Sequence, residues 1–385
     1  MGSLTDVTRS RPSASADSAD TSARARKVRV LIVAPSIRYL GGQAIQAGRL
    51  HKQLSLEDWI QVDLLPVDPK LPAPFGWMQR VKYLRTVVTS VAYVASLLLR
   101  VGRYDVIHAF SASYWSFLLA PVPALLVGRL FGKRVLINYR SGEADDHLTR
   151  WGWHAIPLLR LAHTVVVPSG YLVEVFARHG ITAVPLPNFL ELAAIPYRQR
   201  EPLRPALLSN RNFEALYNVA DILRAFAEVQ IRHRDASLMV VGDGPQKQAL
   251  HELSTQLGLR NVVFTGPVAP SRMGDCYAAC DIYVNTPTID NMPNSVLEAF
   301  AAGLPVATSD AGGIPYIVRN GENGLLVPCR DKTALANAVL SLLADPLLAR
   351  RLAAQARSDV LSRYTWDVVR DQWRTMYTAP GLASA

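Results

Sequence analysis

Apolar residues along the chain follow two alternating rhythms: short runs rich in Val, Ile and Leu, and longer stretches where apolar positions recur every three or four residues. In the first half the runs are VRVLIVA (28–34), IQVDLLP (60–66), DVIHAF (105–110), RVLINY (134–139), HTVVVP (163–168) and AVPLP (183–187). In the second half they are ALLS (206–209), ASLMVVG (236–242), NVVFTG (261–266), DIYVNT (281–286), PVATS (305–309) and NGLLVP (323–328). Strands that are apolar throughout, joined by helices, predict parallel sheets covered on both faces. The stretch AAIPYRQREPLRP (193–205) interrupts the alternation with three prolines and several charges, and reads as a linker. The pattern therefore predicts an α/β protein of two doubly wound, Rossmann-like domains facing each other across a cleft.

In such sheets ligands bind beyond the carboxyl ends of the strands. Glycines fall there: Gly41 and Gly42 after the first run, Gly242 and Gly244 after SLMVV, and Gly312 and Gly313 after PVATS. The segment IDNMPNSVLEAFAAGLPVATSDAGGIPYIV (289–318) adds two acids. Pro293 suits the first turn of a helix that stops at Gly303. Asp290 then lies in the loop before the helix and Glu298 about a turn and a half inside it. Both carboxylates can address one ligand over the helix N-terminus, where free amides and the helix dipole favour a phosphate. A carboxylate also suits a vicinal diol such as a ribose. Taken alone, an acid before a helix is a cap and an acid within one is a solvated face.

Composition bounds the chain without naming its chemistry. Of 385 residues 50% are hydrophobic and 19% charged, enough apolar material for two cores. Residues 1–200 hold 24 Lys and Arg against 13 Asp and Glu, a net +11, whereas residues 201–385 hold 17 against 18. The basic half suits an anionic partner, a lipid surface or nucleic acid, or is simply a soluble basic surface. Nucleic acid is disfavoured, because aromatic and basic residues do not interleave on a strand face. Cys276, Cys280 and Cys329 are too few and too poorly spaced for a disulfide framework or a thiolate zinc site. Residues 1–26 lack an apolar signal core and read as a disordered tail, which points to the cytoplasm. Neither apolar run, Val87–Leu99 or Trp115–Phe131, is expected to cross a membrane: the first is short and prolines interrupt the second. Arginines and lysine flank the first (Arg80, Lys82, Arg85, Arg100, Arg103). It reads either as a basic amphipathic helix against anionic headgroups or as an ordinary helix packed on a sheet.

The second half resembles the nucleotide-binding domain of the family-four retaining glycosyltransferases, including bacterial enzymes of exopolysaccharide and lipopolysaccharide type, which have the two-domain GT-B fold. The stretches that carry the resemblance are VVGDGPQKQAL, VVFTGPV, the block from Asp281 to Pro328, and YTWDVVRDQW, with GGQAIQAGRL and YDVIHAFSA in the first half. The resemblance implies an acceptor-side domain over 27–196, a nucleotide-sugar domain over 197–364, and a closing helix within 365–385 that packs back on the first domain. It implies that Asp290 touches the donor sugar and Glu298 the ribose. Backbone amides of Asn291, Met292, Pro293's neighbours Asn294 and Ser295, and the Gly41-Gly42 turn cradle the diphosphate with Arg211. The base lies near Gly242, Gly266 and Val268. The implied reaction transfers a sugar from a nucleotide diphosphate to an acceptor hydroxyl with retention, needs no metal or cofactor beyond the donor, and serves a glycan or lipid-linked acceptor, at times on an anionic membrane surface.

Four positions depart from the family pattern. Asp290 stands where Glu is usual. The sequence YNV at Tyr217 replaces a second diphosphate-binding Lys. Tyr316 replaces a common Glu, and Arg140 replaces a His that contacts the donor sugar. Arg140 cannot act as a base, yet it can hold a phosphate with two hydrogen bonds. His108, at a strand end, reads either as an acceptor contact or as a hydrogen-bonded structural residue. These departures keep a second function in view: a catalytically weakened relative that binds a nucleotide sugar or glycan as a partner subunit. A nicotinamide dehydrogenase is disfavoured, because none of the Gly pairs extends to G-x-G-x-x-G with an acid about 20 residues on.

Overall fold

The computed structural model describes residues 26–36, 41–71 and 73–379. The tail up to residue 25, and Arg38, a candidate phosphate contact just before the Gly-Gly turn, lie outside the described residues. The first half runs β1 (Val28–Ala34), α1 (Gly42–Leu54), β2 (Ile60–Pro66), α2 (Lys82–Arg100), β3 (Val106–Ser111), α3 (Tyr114–Leu119), α4 (Pro121–Leu130), β4 (Arg134–Tyr139), α5 (Ala144–Arg160), β5 (Thr164–Val167), α6 (Gly170–Arg178) and β6 (Ala183–Pro185). Its parallel sheet has the order β2-β1-β3-β4-β5-β6. The second half runs β7 (Ala206–Asn210), α7 (Val219–Arg232), β8 (Ser237–Val241), α8 (Lys247–Gln256), β9 (Val262–Gly266), α9 (Met273–Ala279), β10 (Ile282–Asn285), α10 (Asn294–Ala302), β11 (Val306–Ser309), β12 (Leu325–Val327), α11 (Lys332–Ala344), α12 (Pro346–Arg363) and α13 (Trp366–Thr378). Its sheet, also parallel, has the order β12-β11-β10-β7-β8-β9. This is the two-lobed α/β arrangement that the apolar rhythm predicts, and it fits the GT-B fold that the family resemblance implies.

The continuity of the apolar runs has a direct cause. In β1, Val30, Ile32 and Ala34 enter one core cluster while Leu31 and Val33 enter another on the opposite face. Helices cover both faces, so every position from Val30 to Ala34 is apolar and buried. Helix α13 supplies part of that cover: Val369, Trp373, Met376 and Tyr377 are buried with Val30, Ile32 and Phe110 of the first lobe. The chain thus crosses back after building the second sheet.

Strand order reverses between β1 and β3 in one sheet and between β10 and β7 in the other. Chains leaving such strands diverge and open a crevice. The Gly41-Gly42 turn follows β1, Arg211 follows β7, and Asp290 follows β10, so both switch points deliver candidate residues.

Three local expectations change. Pro293 is the residue before α10, with φ −66° and ψ 119°, rather than its first helical residue. Its extended ψ lets the preceding loop approach side-on, and α10 ends at Gly303, whose φ of 80° suits glycine. The stretch 193–205 is strapped to the second lobe: Arg204 and Arg198 both pair with buried Asp281, and Arg200 donates to Tyr277 O at 2.7 Å. Helix α2 outruns the apolar run Val87–Leu99. The helical stretch Tyr83–Arg103, of mean hydropathy 1.5, is long and apolar enough by length and composition to cross a bilayer.

Candidate functional site

The two sheets' carboxyl ends face each other across a cleft of about 440 Å³. Its floor on the second lobe is the loop 287–293 and the first turns of α10. Gly313 N donates to Asp290 O at 2.9 Å, and a Cβ on Gly313 would lie 2.1 Å from Asn291 O. Gly312, at φ 52°, would bring a Cβ to 2.3 Å from Asp290 O. The Gly312-Gly313 pair therefore supports the loop from behind and lies outside the cleft lining.

The first lobe grips the same loop from the front. Asn188 Nδ2 donates to Met292 O and to Asn294 Oδ1, both at 2.9 Å, and Gln46 Nε2 donates to Asn294 Oδ1 at 2.9 Å. Ser169 Oγ donates to Asn291 Oδ1. A Cβ on Gly142 would stand 3.2 Å from the Asp290 carbonyl carbon, and one on Gly42 would stand 3.8 Å from Asn294 Nδ2. The Gly41-Gly42 turn and the N-terminus of α10 thus meet across the cleft. Each leaves backbone amides at a helix start, an arrangement that attracts anions.

Charged side chains are distributed asymmetrically around this junction. Asp290 Oδ2 accepts from Arg211 Nη2 at 2.6 Å, and its Oδ1 accepts from Asn291 N at 2.8 Å. Arg211 also donates to Ser295 Oγ at 3.1 Å, and its guanidinium lies 4.0 Å over the Tyr217 ring. Burial opposes the charge on Arg211, but the Asp290 carboxylate more than offsets this and holds it above its ordinary range. Tyr217, in the expected place of a Lys, orients the arginine with its ring instead of adding a cation. Glu298 Oε1 accepts from Arg49 Nη2 of α1 at 2.7 Å, and Oε2 accepts from the Tyr277 hydroxyl at 2.9 Å. Tyr277 in turn accepts from Asn210 Nδ2 at 2.8 Å. Arg49 and Glu298 are each mostly shielded from solvent, with 15% and 13% of their side chains exposed.

Arg140 differs from the other two cleft arginines. It lines the cleft without an ion pair among the described residues, and burial lowers it to about 9. Its Nη1 donates to Asn138 Oδ1 at 3.2 Å. Because Oδ1 faces Arg140, the amide nitrogen of Asn138 faces His108 Nε2, 3.1 Å away, so Nε2 is the acceptor. The hydrogen on Nδ1 then donates to the Tyr377 hydroxyl of α13 at 2.7 Å. A buried ladder, Tyr377–His108–Asn138–Arg140, thus runs from α13 to the cleft. His108 is fully buried between Phe110 and Trp373, and burial, reinforced by Arg140, lowers it to about 3. It does not reach the cleft: of the two readings left by the sequence, the geometry fits the structural one.

The structure brings Gly41, Gly42, Arg140, Arg211, Gly242, Val268, Asp290, Asn291, Met292, Pro293, Asn294, Ser295 and Glu298 to one cleft. Gly242, at φ 148°, has no room for a Cβ, which would sit 2.2 Å from Arg211 O. Gly266 stands just behind the lining and accepts from Gly242 N at 3.1 Å. Tyr316 turns away to α6, where Glu174 takes its hydroxyl hydrogen bond and its ring covers Gly170. Sequence reasoning missed Arg49, Gln46 and Tyr277. The first two had a signal, since residues 42, 46 and 49 share one helical face of GGQAIQAGRL. Tyr277 had none.

Comparison with known proteins bears on this arrangement. The family described as glycosyl transferases group 1 matches residues 198–359. The phosphatidyl-myo-inositol mannosyltransferase of Mycobacterium leprae is 31% identical over 291 residues, covering 72% of this chain and 74% of that protein. The N-acetyl-alpha-D-glucosaminyl L-malate synthase of Bacillus anthracis is 29% identical over 172 residues, and the match covers 44% of each chain. An exopolysaccharide phosphotransferase of Streptomyces coelicolor is 34% identical over 198 residues, of which the match covers only 21% of that protein's length. Among solved structures, Anabaena HepE in complex with UDP and glucose superposes with TM-score 0.69 at 18% identity, covering 92% of this chain and all of that one. A sucrose-phosphate synthase from Thermosynechococcus elongatus superposes with TM-score 0.70 at 22% identity, covering 91% and 98%. These structural likenesses extend over both lobes and show a shared fold.

Proposed function

The chain belongs to the group 1 glycosyl transferases, and from that premise we propose that it moves a sugar from a nucleotide diphosphate donor to an acceptor hydroxyl with retention of configuration, in cell-surface polysaccharide or glycolipid synthesis. The observation that carries this reading is the meeting of two helix N-termini, at Gly42 and Asn294, across a cleft that also holds Arg211, Arg140 and Glu298. In this reading the diphosphate lies between the two N-termini, the ribose hydroxyls bind Glu298, and the base lies against Gly242 and Val268. Asp290, held by Arg211, faces the sugar.

The reaction breaks the bond between the anomeric carbon and the diphosphate oxygen and forms one to the acceptor oxygen; the acceptor proton leaves with the diphosphate. Charge on the departing diphosphate meets Arg211, Arg140 and main-chain amides, and no step is routed through a metal. Removing one such fixed donor typically lowers turnover on the order of 100-fold. Arg140 stays protonated at neutral pH and serves as a cation, not a base. A second cavity, of about 900 Å³, shares Gly41, Gly42 and Gln43 with the cleft and is the proposed acceptor site. The proposed setting is cytoplasmic, at the inner face of a membrane.

A thermal-shift panel of nucleotide diphosphate sugars tests the donor assignment. One sugar nucleotide should raise the melting temperature of the parent clearly, and Glu298→Ala should abolish the shift. The alternative, a weakened binding relative, is favoured by Arg140 and the absent Lys. Donor turnover present in the parent and lost in Glu298→Ala rejects it; binding without turnover supports it.

A further inference from the structure

Helix α2 has three faces, and the first lobe uses only two. Tyr93 and Leu97 are fully buried in the core, and the Tyr93 hydroxyl donates to Ala120 O at 2.7 Å. Thr86, Thr89 and Ser90 line the second cavity, which Trp115 and Leu119 of α3 bound on its other side. On the third face Tyr83, Val87, Val91 and Leu98 recur at helical spacing and are 80%, 60%, 64% and 44% exposed. A core helix of this composition would be mostly buried, yet only 17% of the apolar window within Tyr83–Arg103 is. Trp115, on the rim of the second cavity beside α2, and Leu126 and Leu130 of α4, a helix packed against α2, are exposed as well.

The charges around this face choose its occupant. Arg80, Arg85, Arg100 and Arg103 flank the stripe, and residues 80–104 contain no Asp or Glu. A second copy of the chain docking here about a two-fold axis would set two basic rims against each other, which is unfavourable. An anionic lipid surface meets both features: the apolar stripe enters the boundary between headgroups and acyl chains, and the arginines meet the phosphates. Spanning the bilayer would strip Tyr93 and Leu97 from the core, so the helix lies in the plane.

We propose that α2, together with the exposed edges of α3 and α4, docks flat on an anionic phospholipid bilayer and holds the mouth of the second cavity at headgroup depth. The use of that cavity by an acceptor rests on the proposed function; the docking stands without it.

Flotation of the full chain with vesicles tests the docking, in low salt and without nucleotide. The chain should float with vesicles of equal parts phosphatidylglycerol and phosphatidylcholine, remain behind with phosphatidylcholine alone, and be released by molar salt. Val87→Asp with Val91→Asp should weaken binding at least tenfold, because both residues lie in the stripe. Arg100→Gln with Arg103→Gln should weaken it about fivefold per charge. All four positions are solvent-exposed, so melting temperatures should stay at the parent value. The proposal is overturned if the parent stays behind with anionic vesicles, or if the double Asp variant floats as well as the parent. Light scattering that shows a dimer in the parent and a monomer in the double Asp variant, without flotation, would assign the face to a second copy instead. Donor binding measured on the same preparations separates this inference from the proposed function: the double Asp variant should keep it whether or not the docking holds.

Discussion

Replacing Asn138 by Asp probes the link between the buried ladder and the cleft with a change of one atom. In the parent the amide donates to His108 Nε2 at 3.1 Å and accepts from Arg140 at 3.2 Å. A carboxylate only accepts, so it keeps the Arg140 hydrogen bond and turns the other end of the ladder round. His108 then carries its hydrogen on Nε2, and Nδ1 accepts from the Tyr377 hydroxyl. No heavy atom has to move, which predicts a folded protein. Arg140 gains a carboxylate partner at hydrogen-bond distance, an attraction on the order of 4 kcal/mol at an effective protein dielectric. Its hydrogen bonds to a diphosphate, about 1.5–3 kcal/mol for a charged donor, are then largely lost. Calorimetric titration with the nucleoside diphosphate that best stabilises the parent should show a dissociation constant roughly 10- to 100-fold higher. Nitrogen-15 spectra of His108 should report the exchanged tautomer. Asn138→Leu is the contrast: it orphans the buried Nε2 of His108 and Nη1 of Arg140, at about 1–3 kcal/mol each, and should lower stability more than Asp does. If Asn138→Asp binds the nucleotide as tightly as the parent, Arg140 does not face the donor and the reasoning fails.

Other outcomes follow from the same geometry. Arg49→Met removes a 2.7 Å tie between the lobes, and small-angle scattering should show a larger radius of gyration that contracts when donor is added; an unchanged radius would mean that the remaining cross-lobe hydrogen bonds suffice. Gly313→Ala places a methyl against Asn291 O, so the donor loop must shift: turnover should fall at least tenfold with much of the melting temperature retained, and full activity would show the loop to be plastic. Burial lowers His108 to about 3 and His147 to about 4, whereas both titrate near 6.5 when unfolded. As pH falls below 6.5 the unfolded chain takes up protons that the folded chain refuses, so stability is fully present above that value and is lost toward pH 4 and 3. Between pH 6.5 and 5 these two residues alone should remove on the order of 3 kcal/mol in chemical denaturation, and a flat profile over that window would contradict their burial as neutral rings.

The apolar rhythm made the strands legible because both faces of each sheet are covered. The runs VRVLIVA, IQVDLLP and RVLINY coincide with β1, β2 and β4 residue for residue. The same cover hid the direction of single side chains. All six residues of β3 are buried, so no alternation told which face His108 takes, and the helix that covers it lies more than 250 residues away in sequence. Asp290 and Glu298 were legible through their spacing around a helix start. Their partners Arg211 and Arg49 differ in this respect. Arg211 and Asp290 follow neighbouring strands of one sheet, β7 and β10, whereas Arg49 reaches Glu298 only through the way the two lobes face each other, which no local pattern encodes. The Gly312-Gly313 pair was visible as glycine beyond a strand end, but its role in supporting the loop was not, since loop support and ligand approach both demand a missing Cβ.

The central claim is that a donor diphosphate lies between the Gly41-Gly42 turn and the N-terminus of α10, with Glu298 on the ribose. A crystal structure of the chain with its best-binding sugar nucleotide tests it most directly. The account requires diphosphate oxygens within hydrogen-bond distance of amides on both sides and of Arg211, with Glu298 bound to a ribose hydroxyl. A nucleotide bound elsewhere, or a bound nucleotide whose ribose leaves Glu298 paired only with Arg49 and Tyr277, contradicts it.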